Sequence, residues 1–88
     1  MAWRIEFERA AERELAKLDP QTAKRILKFL NDRVAPLSDP RSLGEALHGS
    51  LGAFWKYRVG DYRIIAAVED SRLRILVVRI GNRRDVYR

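Results

Sequence analysis

Trp3, Ile5 and Phe7 alternate with Arg4, Glu6 and Glu8, and this period of two predicts a half-buried strand at the start of the chain. The period then lengthens. From about Arg9 to Leu18 the chain is rich in Ala, Glu, Leu and Lys and predicts a helix, which Asp19-Pro20 ends. Asp19 next offers an N-cap, with Pro20 in the first position of a second helix. In that helix Ala23, Ile26, Leu27, Leu30, Val34 and Leu37 fall on one face, so the two helices form a hairpin. Pro36 to Gly52 reads as a connector with turn residues, in which Leu43, Leu47 and Leu51 recur every four residues and are expected to pin it to the core.

From Phe54 the pattern returns to strands: "FWKYRV", a Gly60-Asp61 turn, "YRIIAAVE", an Asp70-Ser71 turn, then "RLRILVVRI" and Gly81. Two-residue loops join antiparallel neighbours, so these strands form a meander. Alternation sets Trp55, Tyr57 and Val59 on one face and Lys56 and Arg58 on the other. In the next strand Tyr62, Ile64, Ala66 and Val68 oppose Arg63, Ile65 and Ala67. If the aromatic face covers the helices, Lys56, Arg58 and Arg63 share the opposite, concave face, where crowded cations repel unless an anion visits. The fold class is α+β: an N-terminal strand, a helical hairpin, and an antiparallel meander packed on the helices.

Composition narrows the classes. With 88 residues the chain holds one domain, 1–88, with a modest core. There is no cysteine, so there is no disulfide framework and no thiolate metal site. No apolar run is long enough for a signal peptide or a membrane span, and a soluble cytoplasmic protein is expected. Net charge is +6, and its position along the chain matters more than its size. Residues 1–53 carry 9 basic and 8 acidic side chains, whereas 54–88 carry 9 basic and 4 acidic. Eight of those last nine cations are Arg, whose planar fork of donors matches phosphate. Such a field suits RNA, DNA or an acidic protein.

The final stretch, "RIGNRRDVYR", leaves the last strand through Gly81 and adds Arg83, Arg84, Tyr87 and Arg88. "WKYRVGDYRII…VED…LRILVVRIGNRRDVYR" after a helical hairpin resembles the RelE/ParE superfamily of bacterial toxins, and is most similar to the RelE-type messenger-RNA interferases. The likeness runs over nearly the whole chain, and its specific part lies in residues 54–87. It implies the RelE-like microbial ribonuclease fold and a toxin that cleaves messenger RNA in the ribosomal A site, inhibiting translation. It also implies a cognate RelB-like antitoxin that holds the toxin silent in a hetero-oligomer. By position, the family's basic strand residues fall on Lys56 and Arg58, its Tyr-Arg pair on Tyr62 and Arg63, and its late Arg and Tyr on Arg83 and Tyr87. The chain departs from the family in three places: Arg58 stands where the well-known relatives have Lys, Asn82 where His is frequent, and the sequence stops at Arg88 without a C-terminal helix. That ending would remove any mechanism in which the antitoxin displaces such a helix.

The residues themselves lead to similar chemistry. Without a carboxylate cluster, a His pair or a thiolate, no metal or other cofactor is expected. The only histidine, His48, lies in the connector and reads as a surface or loop-packing residue. What is left is cleavage in which the RNA's own 2′-hydroxyl attacks the adjacent phosphate. That step needs a base, neutralisation of the extra charge on phosphorus and protonation of the leaving oxygen. Lys56 is the only lysine in the basic half, and surrounding cations disfavour a charged ammonium, so it is the expected base. Arg58 and Arg63 would hold the scissile phosphate, Arg83 would bind phosphate or assist the leaving group, and Tyr87 would stack on a base. Tyr62, Arg79, Arg84 and Arg88 are further expected RNA contacts, including ribosomal RNA.

Each of these signals has a plainer reading. A basic strand face is often only solvated. Trp55, Tyr57 and Tyr62 alternate with cations as packing residues do, and Tyr87 could simply close the core. Two other functions therefore stay open beside the nuclease: a ParE-type gyrase inhibitor on the same fold, and a non-enzymatic nucleic-acid-binding module.

Overall fold

The computed structural model describes residues 3–47 and 54–82. The first strand, β1 (Arg4–Phe7), leads into α1 (Arg9–Ala16) and α2 (Pro20–Phe29). Pro20 occupies the first turn of α2, and the Asp19 side chain accepts from the Thr22 amide at 3.1 Å, as expected of an N-cap. The helix does not run on as α to Leu37. Over Leu30–Val34 it widens into a π-turn, closed by the Ala35 amide donating to the Leu30 carbonyl at 2.9 Å. Ile26, Leu30 and Val34 nevertheless keep the inward face and are wholly buried.

A short 3-10 turn, Pro40–Leu43, and a two-residue strand, β2 (Glu45–Ala46), lie within the connector. Then follow β3 (Phe54–Val59), β4 (Tyr62–Glu69) and β5 (Arg74–Asn82). The sheet order is β1-β5-β4-β3-β2. The meander β3-β4-β5 is antiparallel as expected, but β1 pairs parallel with β5, Ile5 opposite Ile75, so the sheet is mixed. Helix-derived Ala11, Ile26, Leu30 and Val34 pack with Tyr57, Val59, Ile64, Ala66, Ile75, Val77 and Ile80 to make the core on one sheet face. No described helix is long and apolar enough to cross a membrane.

Two local features depart from simple alternation. In β5, Val78 and Arg79 together occupy the place opposite Ile65, a bulge that shifts the phase by one residue. Val77 and Ile80, three apart, therefore both face the core, and Arg79 does not. The β4–β5 turn is also longer than two residues: Asp70–Arg72 forms a 3-10 turn and Leu73 is left-handed, φ 48°. The strand consequently begins at Arg74 rather than Arg72. At the β3–β4 turn Gly60 has φ 59°, a conformation that costs glycine little.

In the described part of the connector Leu43 does not pin the chain to the core, and polar contacts hold it there. Leu43 is exposed, Leu47 is half-buried, and Leu51 lies outside the described residues. The Tyr57 hydroxyl donates to the Pro40 carbonyl at 2.8 Å, and the ring passes within 3.1 Å of where a side chain on Gly44 would stand. Arg41 bridges Asp39 and Asp70, tying the connector to the β4–β5 turn.

Candidate functional site

Register decides which cations meet. In the β3–β4 ladder Lys56 lies opposite Ile65 and Arg58 opposite Arg63, so all three share the sheet face turned away from the helices. Arg63 is only 5% exposed, the sole buried charged residue among those described. Its Nη1 donates to the Tyr62 carbonyl at 3.3 Å. Among the described residues neither Arg58 nor Arg63 has a carboxylate partner. On its other flank Arg63 stands opposite Gly81 of β5, where no side chain competes for the space. A guanidinium this buried, facing a second one, is poorly compensated by a single carbonyl and well suited to an anion with several oxygens.

Lys56 has a different neighbour from the one the sequence suggests. Its Nζ lies 3.3 Å from a Glu45 carboxylate oxygen, so the charge paired with it is of opposite sign. Glu45 arrives through β2, whose only pairing sets Glu45 opposite Lys56 and Ala46 opposite Trp55. Sequence reasoning missed Glu45 because a two-residue strand has no periodicity to detect. Lys56, Arg58, Glu45, Leu43 and Phe29 line a cavity of about 230 Å³ at this edge.

Other expected contacts lie elsewhere. Tyr62 is half-buried against the core, on the helix-covered face, opposite Val59 and Asn82. It therefore does not share the wall with Arg63, its neighbour in sequence. Arg79 is paired with Glu14 of α1, Nε to carboxylate at 3.2 Å, and Glu14 also accepts from the Ile80 amide at 2.8 Å. That carboxylate caps the edge of β5 where β1 has ended. Arg83, Arg84, Tyr87 and Arg88 lie outside the described residues, as does His48.

The remaining charge on the sheet is mostly spoken for. Arg74 bridges Glu6 of β1 at 2.8 Å and Glu69 of β4 at 2.7 Å, clasping three strands. Its hydrogen bonds hold both carboxyls below the usual carboxylate range. Hydrogen bonding from Arg41 likewise lowers Asp70. Burial pushes the Tyr57 phenol up to about 12, which leaves it a neutral donor to Pro40 and not a proton carrier at neutral pH. Among the described residues no three His, Asp or Glu side chains are grouped as metal donors would be.

A family model described as the ParE toxin of the type II toxin–antitoxin system parDE matches residues 5–87. Toxin RelG of Mycobacterium tuberculosis is 26% identical over 100% of this chain and 99% of its own length. Toxin RelE of the same organism is 31% identical, covering 89% of this chain and 78% of its own. The fold is that of the toxin–antitoxin complex RelBE2 from Mycobacterium tuberculosis, with a TM-score of 0.86 at 24% identity over 97% of this chain and 95% of that one.

Proposed function

Because this chain belongs to the RelE/ParE family of type II toxins, we propose that it is a ribosome-dependent messenger-RNA endoribonuclease, cytoplasmic and held silent by a RelB-like antitoxin. The observation that carries this reading is Arg63, buried, set opposite Arg58, with no carboxylate to neutralise either among the described residues. A phosphate in the course of displacement gathers charge on its outer oxygens, and fixed guanidinium donors stabilise that charge more than the ground state.

The step is as follows. The 2′-hydroxyl oxygen bonds to the adjacent phosphorus and gives up its proton, the bond from phosphorus to the 5′ oxygen breaks, and that oxygen takes up a proton. The products are a 2′,3′-cyclic phosphate and a 5′-hydroxyl, and no metal is consumed or required in that balance. Lys56, with Glu45 beside it, takes part in removing the proton. Arg58 and Arg63 hold the phosphate. Arg83 and Tyr87, which the family resemblance assigns to the leaving group and to base stacking, complete the set. The ribosome supplies the attack geometry by fixing the messenger, which relieves so small a protein of building it alone.

The antitoxin partner follows from two supports: the matched structures include toxin–antitoxin complexes, and the wall is basic. An acidic, amphipathic segment laid on it would block RNA, with an affinity that weakens as salt rises. Because the matching family model is that of ParE, gyrase poisoning is the second reading. Mapping messenger ends in a translating extract decides between them. Cuts within A-site codons are expected; DNA breaks or gyrase inhibition without cuts would overturn the nuclease.

A further inference from the structure

We propose that the groove between α2 and the outer edge of β3 is a second polyanion site, which takes backbone phosphates of the same single RNA strand as it passes the rim of the Lys56–Arg58–Arg63 wall; this rests on the reading of that wall as an RNA site. The groove has a volume of about 400 Å³. It exists because β2 covers only Trp55 and Lys56, so the rest of β3 on that side borders α2 instead of another strand.

Its charge is lopsided. Arg25, Lys28 and Arg33 line it from the helix side and Arg58 from the strand, against a single carboxylate, Asp32. Among the described residues none of the four cations is engaged in an ion pair. Arg25 and Lys28, three residues apart on α2, repel by a few tenths of a kcal/mol unless an anion lies by them, and Asp32, four residues beyond Lys28, offsets only part of the charge. The turn glycine leaves room for Arg25, whose Nη1 is 3.3 Å from where a side chain on Gly60 would stand.

The shared residue selects the occupant. Arg58 lines both this groove and the cavity beside Lys56, so a strand with one phosphate at Arg58 has its next phosphates within the field of Arg33, Lys28 and Arg25. Three guanidinium forks match phosphate oxygens in pairs. Phe29, half-buried in the floor, offers an apolar surface to a base or ribose.

The test uses the purified chain and a short single-stranded 2′-O-methyl RNA of mixed sequence, which lacks the attacking hydroxyl and survives the measurement. Binding is followed across a salt series for the wild type, the Arg25→Gln/Arg33→Gln double variant and Arg63→Lys. Each phosphate contact contributes about 0.7 to the slope of log K against log salt for a single strand, so the double variant should lose about 1.4 of slope and at least roughly tenfold in low-salt affinity. Its thermal midpoint should not fall. A wild-type slope in the double variant overturns the groove, and so does a variant that loses binding to an acidic oligopeptide but keeps it for RNA. Messenger cutting by the same proteins separates the two sites. Cutting lost in Arg63→Lys beside a wild-type slope in the double variant overturns the groove and spares the wall; cutting intact in Arg63→Lys overturns the wall and, with it, the single strand proposed to run from the wall into the groove.

Discussion

Arg58 stands directly opposite Arg63 across the β3–β4 ladder, two like charges where a sheet ordinarily sets an ion pair or an apolar contact. Such a pairing costs stability in the free protein, a cost that the phosphate of the proposed function would offset. Arg58→Thr should therefore stabilise the fold by roughly 0.2–1 kcal/mol at low salt, with a β-branched residue in a strand. The same change should lower messenger cutting by roughly 10²–10³. Thermal melting and end mapping on one preparation test both halves, and a variant that melts earlier or cuts normally contradicts the assignment.

Glu45 and Lys56 can be separated by substitution. Lys56→Ala should lower cutting by roughly 10²–10⁴, the usual worth of a positioned proton acceptor. Glu45→Gln keeps β2 and removes only the charge 3.3 Å from the ammonium, an exposed partner whose loss should cost less than about tenfold. Equal losses in single-turnover cutting would transfer the base role to Glu45.

Tyr57 gives the protein an alkaline limit. Its folded value of about 12 lies above the ordinary phenol value of about 10, so the proton is held more tightly in the folded chain. Below the ordinary value this group adds no pH dependence. Between the two values the unfolded phenol ionises while the folded one does not, and stability declines; above the higher value the decline levels off. Tyr57→Phe should lose about 1–2 kcal/mol at neutral pH, because the Pro40 carbonyl is left without its donor. It should also show a flatter decline across the alkaline window. Urea midpoints of both proteins over that range check the sign.

Acid should act through Arg74. Glu6 and Glu69 are held below the usual range by its hydrogen bonds, so their contribution is present at neutral pH and disappears as pH falls through their lowered folded values. Arg74→Gln should be less stable at neutral pH and lose less of its remaining stability on acidification. A parallel acid profile for the two proteins would show that the clasp does not govern it.

Strands β3 and β4, the hairpin helices and the grouping of Lys56, Arg58 and Arg63 were legible from the chain because each depends on a local period or a turn residue. Gly60 fixes a tight turn, and alternation on either side of it then decides which side chains share a face. Tyr62 entered the expected RNA contacts through the family's Tyr-Arg pair, although alternation already set it on the face opposite Arg63, and Arg79 entered through charge alone. Sequence neighbours in a strand point to opposite faces, and the bulge at Val78–Arg79 changes the phase on which a count along β5 depends.

Local pattern thus determined the two helices and the longer strands, the sign of the field and the face on which the cations stand, since those follow from backbone geometry within a few residues. Tertiary structure decided the rest: the parallel pairing of β1 with β5, the capture of Arg79 by Glu14, the pairing of Lys56 with Glu45, and the burial of Arg63 beside Gly81. Each of these joins residues distant in the chain. Their energies depend on which surfaces the packed core brings within a few ångströms, and no period in the sequence records that.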